Sequence, residues 1–178
     1  MPRSSSARKI PEKNVMESVN VNAIDLLESQ HREVEKLFDE FEQLGERAFK
    51  ARMQVFEKIS HKLTCHTLIE EKLFYPAGKK ADKHITLEAY EEHDLVKGLI
   101  KKIAALEAGD ETFLAKVTVL KEIVQHHVKE EEGAYFPKVK KDLGEEALME
   151  LGGEMAMMFE RLDGQHPEPT PKYLKRAK

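Results

Sequence analysis

A chain of 178 residues with 40% apolar and 35% charged side chains has enough apolar material for one domain with its own core, and the charge with only 7% aromatics excludes a membrane protein. No window approaches about eighteen uncharged apolar residues, and the opening MPRSSSARKIPEKN lacks an apolar signal region, so a cytoplasmic protein is expected. The net charge of −4 divides unevenly, with residues 1–13 and 164–178 each at +3 and residues 14–163 at −10. Basic ends of this length read as solubilising tails rather than as a specific nucleic-acid or membrane surface.

Taken in chain order, the pattern is helical. Pro76 is the only proline between Val21 and Leu106. Val34, Leu37, Phe38, Phe41 and Leu44 recur at i, i+3, i+4, i+7 and i+10, as do Val96, Leu99, Ile100, Ile103 and Leu106. Helices are predicted near 22–47, 50–75, 86–108 and 111–135, started by Asn22 with Asp25, by Thr86 and by Asp110, and stopped at Gly45 and Gly109. A shorter helix near 144–162 follows from Leu148, Leu151, Met155, Met158, Phe159 and Leu162, with Gly152 and Gly153 against it. Pro167, Pro169 and Pro171 then mark a tail.

The chain also repeats itself. QHREVEKLFDEFEQL (30–44) matches EHDLVKGLIKKIAAL (92–106) at an offset of 62, and CHTLIEEKLFYP (65–76) matches HHVKEEEGAYFP (126–137) at an offset of 61. His31 falls on His93, His66 on His127, Glu70 on Glu131 and Pro76 on Pro137. A duplicated helical hairpin is expected to give an all-α antiparallel up-down four-helix bundle over 21–143. The rest divides into a disordered basic tail at 1–20, a helix at 144–163 and a Pro-rich basic tail at 164–178.

His66 and Glu70, and likewise His127 and Glu131, stand four apart and so share a helix face. At ~1.5 Å per residue, His31 and His66 sit roughly 13–15 Å from the same end of their helical pair. His93 and His127 give a similar sum. Four packed helices would bring four imidazoles and two carboxylates to one level of the core, where bundle proteins build metal centres. Buried glutamates beside four imidazoles need a compensating charge, which metal supplies. With Cys65 the single cysteine, a thiolate-rich site is excluded, and imidazole with carboxylate suits iron first, then manganese or zinc.

An isolated His followed by His-x3-Glu and an aromatic-Pro occurs twice: His31, His66 to Glu70 and Phe74-Tyr75-Pro76, then His93, His127 to Glu131 and Tyr135-Phe136-Pro137. The double pattern resembles the hemerythrin-like, or HHE cation-binding, domain over residues 22–140. The resemblance implies a four-helix bundle holding a non-haem di-iron centre with oxo or hydroxo and carboxylate bridges. Carried over residue by residue, His31, His66, His93 and His127 would be terminal ligands and Glu70 and Glu131 the bridges, with Glu132 the other reading for the second bridge. The oxygen-carrying members place a second histidine four residues on in the third helix, and here that position is Lys97. An ammonium cannot ligate. The centre would keep an open position, or draw a substitute from Glu71, Glu132, Tyr90, His61 or His126, which favours reaction with dioxygen, peroxide or nitric oxide over reversible carriage.

The remaining residues have plainer readings. His61 and His126 fall about 100–140° from the neighbouring ligand, hence beside the centre or between helices. His84 and His166 lie in a loop and a tail. Glu28 and Tyr90, one turn before His31 and His93, are candidate partners for those rings. Cys65 and the methionines Met155, Met157 and Met158 read as packing. The expected function is sensing or detoxification of a small oxidant. The alternatives are an iron-storage, iron-sensing or dioxygen-binding module without turnover, and an interaction scaffold.

Overall fold

The computed structural model describes residues 21–45, 47–107 and 109–164. The tails expected at 1–20 and 164–178 lie, apart from Gly164, outside the described residues, as does His166.

Helix α1 spans Ala23–Gln43 and is started by Asn22, whose side chain accepts from the Ile24 amide. Helix α2 spans Phe49–Ile69, then widens into a π-helical turn over Glu70–Phe74 and resumes as the short α3, Tyr75–Gly78. Helix α4 spans Lys83–Ala104. Helix α5 spans Phe113–Glu130, widens over Glu131–Tyr135 and continues as α6, Phe136–Asp163. The π turns close Tyr75 N–H onto the Glu70 carbonyl and Phe136 N–H onto the Glu131 carbonyl. Pro76 and Pro137 lack the N–H that a regular turn needs and crowd the preceding carbonyls, so a widened turn just before each accommodates the ring. Its extra residue shifts the helix phase, and two adjacent aromatics per repeat, Phe74 with Tyr75 and Tyr135 with Phe136, are buried together.

Boundaries differ from the sequence reading in instructive places. The second and fourth helices pass through their prolines instead of ending there. Helix α4 begins at Lys83 because Asp82, not Thr86, caps it, accepting from the His84 and Ile85 amides. Thr86 is fully buried, and its hydroxyl is hydrogen-bonded to the Asp82 carbonyl and to the Tyr135 hydroxyl. Gly144, at φ 77 and ψ 171, breaks α6 where the additional helix was expected to begin. Past the break the helix runs straight through Gly152 and Gly153. A Cβ on Gly152 would stand 2.0 Å from the Val21 carbonyl oxygen and 2.6 Å from the Ala23 nitrogen, so this glycine lets the chain entering α1 cross the last helix.

The four long helices form two antiparallel hairpins, α1 with α2 and α4 with α5, and α6 packs across α1 and α2. The interior has two apolar halves. One, at the end where the turn within each hairpin lies, contains Val34, Phe38, Phe41, Phe56, Ile59, Ile103 and Leu120. The other contains Ala23, Leu27, Ile69, Phe74, Tyr75, Tyr135, Leu148 and Met155. Between them lies a polar layer of His31, His66, Glu70, His93, His127 and Glu131, each at most 6% exposed. Among the described residues no helix is long and apolar enough to cross a membrane.

Candidate metal centre

Each long helix contributes one imidazole to the layer, and the two π turns begin on the two carboxylates. His31 Nε2 and His66 Nε2 are 3.2 Å apart, as are His93 Nε2 and His127 Nε2. Glu70 Oε2 lies 3.1 Å from His66 Nε2 and 3.4 Å from His93 Nε2; Glu131 Oε2 lies 3.4 Å from both His31 Nε2 and His127 Nε2. Each carboxylate therefore touches one imidazole of either pair. The structure brings all six sequence-identified residues together, and puts Glu131 rather than Glu132 in the middle.

The outward nitrogens define the protonation of the rings. His31 Nδ1 donates to Glu132 Oε1 (2.8 Å), His66 Nδ1 to Gln30 Oε1 (2.8 Å), His93 Nδ1 to Glu71 Oε1 (3.0 Å) and His127 Nδ1 to Glu92 Oε2 (2.7 Å). With Nδ1 protonated, a neutral ring presents its Nε2 lone pair inward. Four lone pairs then face one another and two carboxylates, and Glu70 Oε1, Glu70 Oε2 and Glu131 Oε2 are buried without a hydrogen bond. Such an arrangement repels itself unless a cation sits within it. The spacing fits one: cis donors at about 2.1 Å from an octahedral ion lie about 3 Å apart, the edge length seen between these atoms. Two overlapping donor sets share Glu70, one with His31, His66 and Glu131, the other with His93 and His127.

The carboxylates and imidazoles of the layer also perturb one another strongly. Burial, then the charge of Glu131, pushes the Glu70 carboxyl well above its usual range. Burial works the same way on Glu131, but His127 and His31 beside it hold it well below. Burial also depresses His31 and His127, yet Glu131 and the other carboxylates outweigh it and both are raised. His66, buried against His31, is pushed well down.

Residues weighed as substitute donors take other posts. Glu71 and Glu132 stand behind His93 and His31, and they are repeat partners 61 residues apart. Each is gripped by a cation, Glu71 by Lys97 at 2.9 Å and Glu132 by Arg32. Lys97 thus steadies the carboxylate behind His93. Tyr90 donates to the Glu71 carbonyl, not to a ring, and Glu28 is exposed. His61 joins Asp163, His126 lies on the surface near Glu92, and His84 is exposed against Glu88.

Sequence reasoning passed over three residues. Gln30 and Glu92 precede His31 and His93 directly, but each serves the imidazole of the neighbouring helix, a cross-helix link that periodicity does not encode. Tyr75 was legible only as part of an aromatic-Pro motif. Fully buried, its hydroxyl donates to Glu131 Oε1 at 3.0 Å and lies 3.1 Å from His93 Nε2. Burial, then Glu131 and Glu70, raises the phenol well above its ordinary value, so it keeps its proton. Its repeat counterpart, Phe136, stacks on His31 with ring centroids 6.0 Å apart.

On one side of the layer is an internal void of about 20 Å³, lined by the four histidines with Val34, Leu63, Val96 and Val124 among its apolar walls. That is room for about one water-sized molecule. Outside His31 a wider cleft of about 350 Å³ is bordered by Arg32, Lys121, Lys129 and Glu132.

A bundle with this duplicated histidine and glutamate layer defines a class, and comparison with known proteins agrees. The Hemerythrin HHE cation binding domain model matches residues 22–139, and the chain belongs to that family. A crystal structure of a hemerythrin HHE cation-binding domain-containing protein from Mycobacterium kansasii superposes with a TM-score of 0.70 at 26% identity, covering 81% of this chain and 88% of that one. A hemerythrin-like protein of Schizosaccharomyces pombe is 28% identical over 141 residues, 77% of this chain and 66% of its own. A Nostoc protein named DNA nickase is 28% identical over 151 residues, 82% of this chain but 42% of its own. The chain thus spans less than two thirds of the length of either curated relative.

Proposed function

We propose that His31, His66, Glu70, His93, His127 and Glu131 hold two iron ions, Glu70 and Glu131 bridging them, and that the centre reacts with dioxygen, peroxide or nitric oxide as a sensor or detoxifier. The observation that carries this reading is the placement of each carboxylate between the two imidazole pairs, with four Nε2 lone pairs turned inward. Mixed imidazole and carboxylate donors without a thiolate favour iron, and manganese or zinc would also fit.

Iron bound here would supply one electron from each ion to a small oxidant. The chain supplies the rest. Glu132, Gln30, Glu71 and Glu92 fix the ring tautomers and orientations. The valine-lined void beside the four rings has room for about one water-sized molecule. Tyr75 holds a proton at its hydroxyl oxygen, hydrogen-bonded to Glu131, where it can be passed to an oxygen atom gaining charge in the layer.

Elemental analysis and visible spectra of iron-supplied protein test the reading. About two irons per chain are expected, with near-ultraviolet bands that bleach on anaerobic reduction and return in air, followed by peroxide turnover. Iron-supplied protein that retains no iron would overturn it. The enclosure of the layer favours a second reading, a storage or dioxygen-binding module, which bound iron without peroxide turnover would select. The nickase name belongs to a protein of which this chain matches 42% of the length.

A further inference from the structure

Away from the histidine and glutamate layer, a second set of donors meets where the end of α6 lies on α2. Cys65 Sγ is 3.8 Å from His61 Nε2, and that nitrogen is 2.9 Å from Asp163 Oδ1. The three donor atoms all lie within 4.8 Å of one another. His61 and Cys65 stand one turn apart on α2, and Asp163 is the last residue of α6. Cys65 is 3% exposed, so one wall of the site is sealed. The other opens to a groove of about 610 Å³ between α1 and α2, bordered by His61, Lys62 and Asp163 and by the acidic Glu33 and Glu40.

We propose that His61, Cys65 and Asp163 form a separate mononuclear site for a divalent ion of the zinc class, with water from the groove as the fourth ligand. One thiolate, one imidazole and one carboxylate make a three-residue set that leaves a tetrahedral ion one open position. With Zn–S near 2.3 Å and Zn–N or Zn–O near 2.0 Å, tetrahedral angles put sulfur about 3.6 Å from nitrogen and nitrogen about 3.3 Å from oxygen. The observed separations of 3.8 and 2.9 Å differ from those values by under about half an ångström, and the sulfur and the carboxylate oxygen lie within 4.8 Å of each other. A His–Asp hydrogen bond would by itself tie the two helices; it does not require a thiol beside the same imidazole, with Sγ 3.8 Å from Nε2 and 4.0 Å from Nδ1. Lys62 contacts Asp163 at 3.2 Å but also Glu33 at 3.2 Å, so it can turn wholly to Glu33 when a dication neutralises Asp163. Binding exchanges the thiol proton for the metal and releases it to solvent. A filled site pins the last turn of α6 to the helix that carries His66.

Cobalt(II) tests this directly. Cys65 is the single cysteine in the sequence, so a thiolate-to-cobalt charge-transfer band has no other source, whatever occupies the histidine and glutamate layer. The outcome is therefore independent of the iron reading. Titration of the full-length, iron-supplied protein is expected to raise a near-ultraviolet thiolate band that saturates at one ion per chain and is abolished by added zinc. Cys65→Ser removes the band. Asp163→Asn and His61→Ala, each checked by circular dichroism for retained helix, shift its midpoint by more than about tenfold, the least that losing even an outer partner costs a metal site. No band in the wild-type protein, or a midpoint unmoved by Asp163→Asn and His61→Ala, overturns the site.

Discussion

Single residues are most informative where the duplication fails. Two pairs related by the repeat differ in chemistry: Gln30 against Glu92 behind the rings, and Phe136 against Tyr75 beside them. His127 thus leans on a carboxylate and His66 on a neutral amide. A carboxylate partner makes an imidazole the more basic donor, so an ion held by His93 and His127 would be bound the more firmly of the two proposed. Glu92→Gln is expected to weaken retention of one of two irons by about 10- to 100-fold, measured by competition with a chelator, and to leave the other unmoved. Equal loss of both would show that the outer partners do not distinguish the positions. Tyr75→Phe removes the phenol proton but keeps the ring packed on Tyr90 and His93. Iron content should hold and peroxide turnover fall by about 10²-fold, the usual worth of a positioned proton donor. Turnover at the wild-type rate would mean that the proton comes from elsewhere.

Helices and their ends show what the sequence could and could not announce. The capping of α4 rests on Asp82, which accepts from two amides and from Lys138 Nζ at 2.8 Å. Lys138, first among its partners, lowers the Asp82 carboxyl below its ordinary 3.8. A depressed folded-state value means that the stabilisation is present above 3.8 and is lost as pH falls through the folded value. Asp82→Asn keeps a capping oxygen and loses the charge, so its melting temperature should sit below that of the wild type near neutrality and converge with it as pH falls through the folded value. Gly152→Ala drives a methyl into the backbone of residues 21–23, where no rotamer offers escape, and should cost about 1–3 kcal/mol in thermal unfolding. Helix number and the six residues of the polar layer were legible because apolar spacing and a doubled His-x3-Glu are local patterns. The π turns were not, since a Pro inside a helical pattern reads as a stop, and the partners behind the rings were not, since Gln30 and Glu92 act across helices. Gly152, read as a weakness in the last helix, is there because another backbone touches it, which is information about packing rather than propensity.

For the whole molecule, the polar layer sets the centre of the bundle against its own stability until a cation fills it. The buried Glu70 carboxylate beside Glu131 costs free energy in the metal-free fold, and its raised carboxyl expresses that cost. An ion that binds the folded chain alone stabilises it by about 4 kcal/mol at a thousandfold excess over its Kd, which for a chain of this size raises the melting temperature by roughly 10 °C. Glu70→Gln separates these two effects because they carry opposite signs. Unfolded Glu70 is ionised near neutrality, while the fold penalises that charge, so a neutral amide of the same shape relieves the metal-free protein. The same amide is a poor bridge between dications, so the increment on loading should largely vanish. The expected result is a crossing: without metal the variant melts at or above the wild-type temperature, and with metal it melts well below. A variant that melts lower by the same amount in both states would show that Glu70 serves packing alone, and the burial of its carboxylate would then need a cause other than a bound cation.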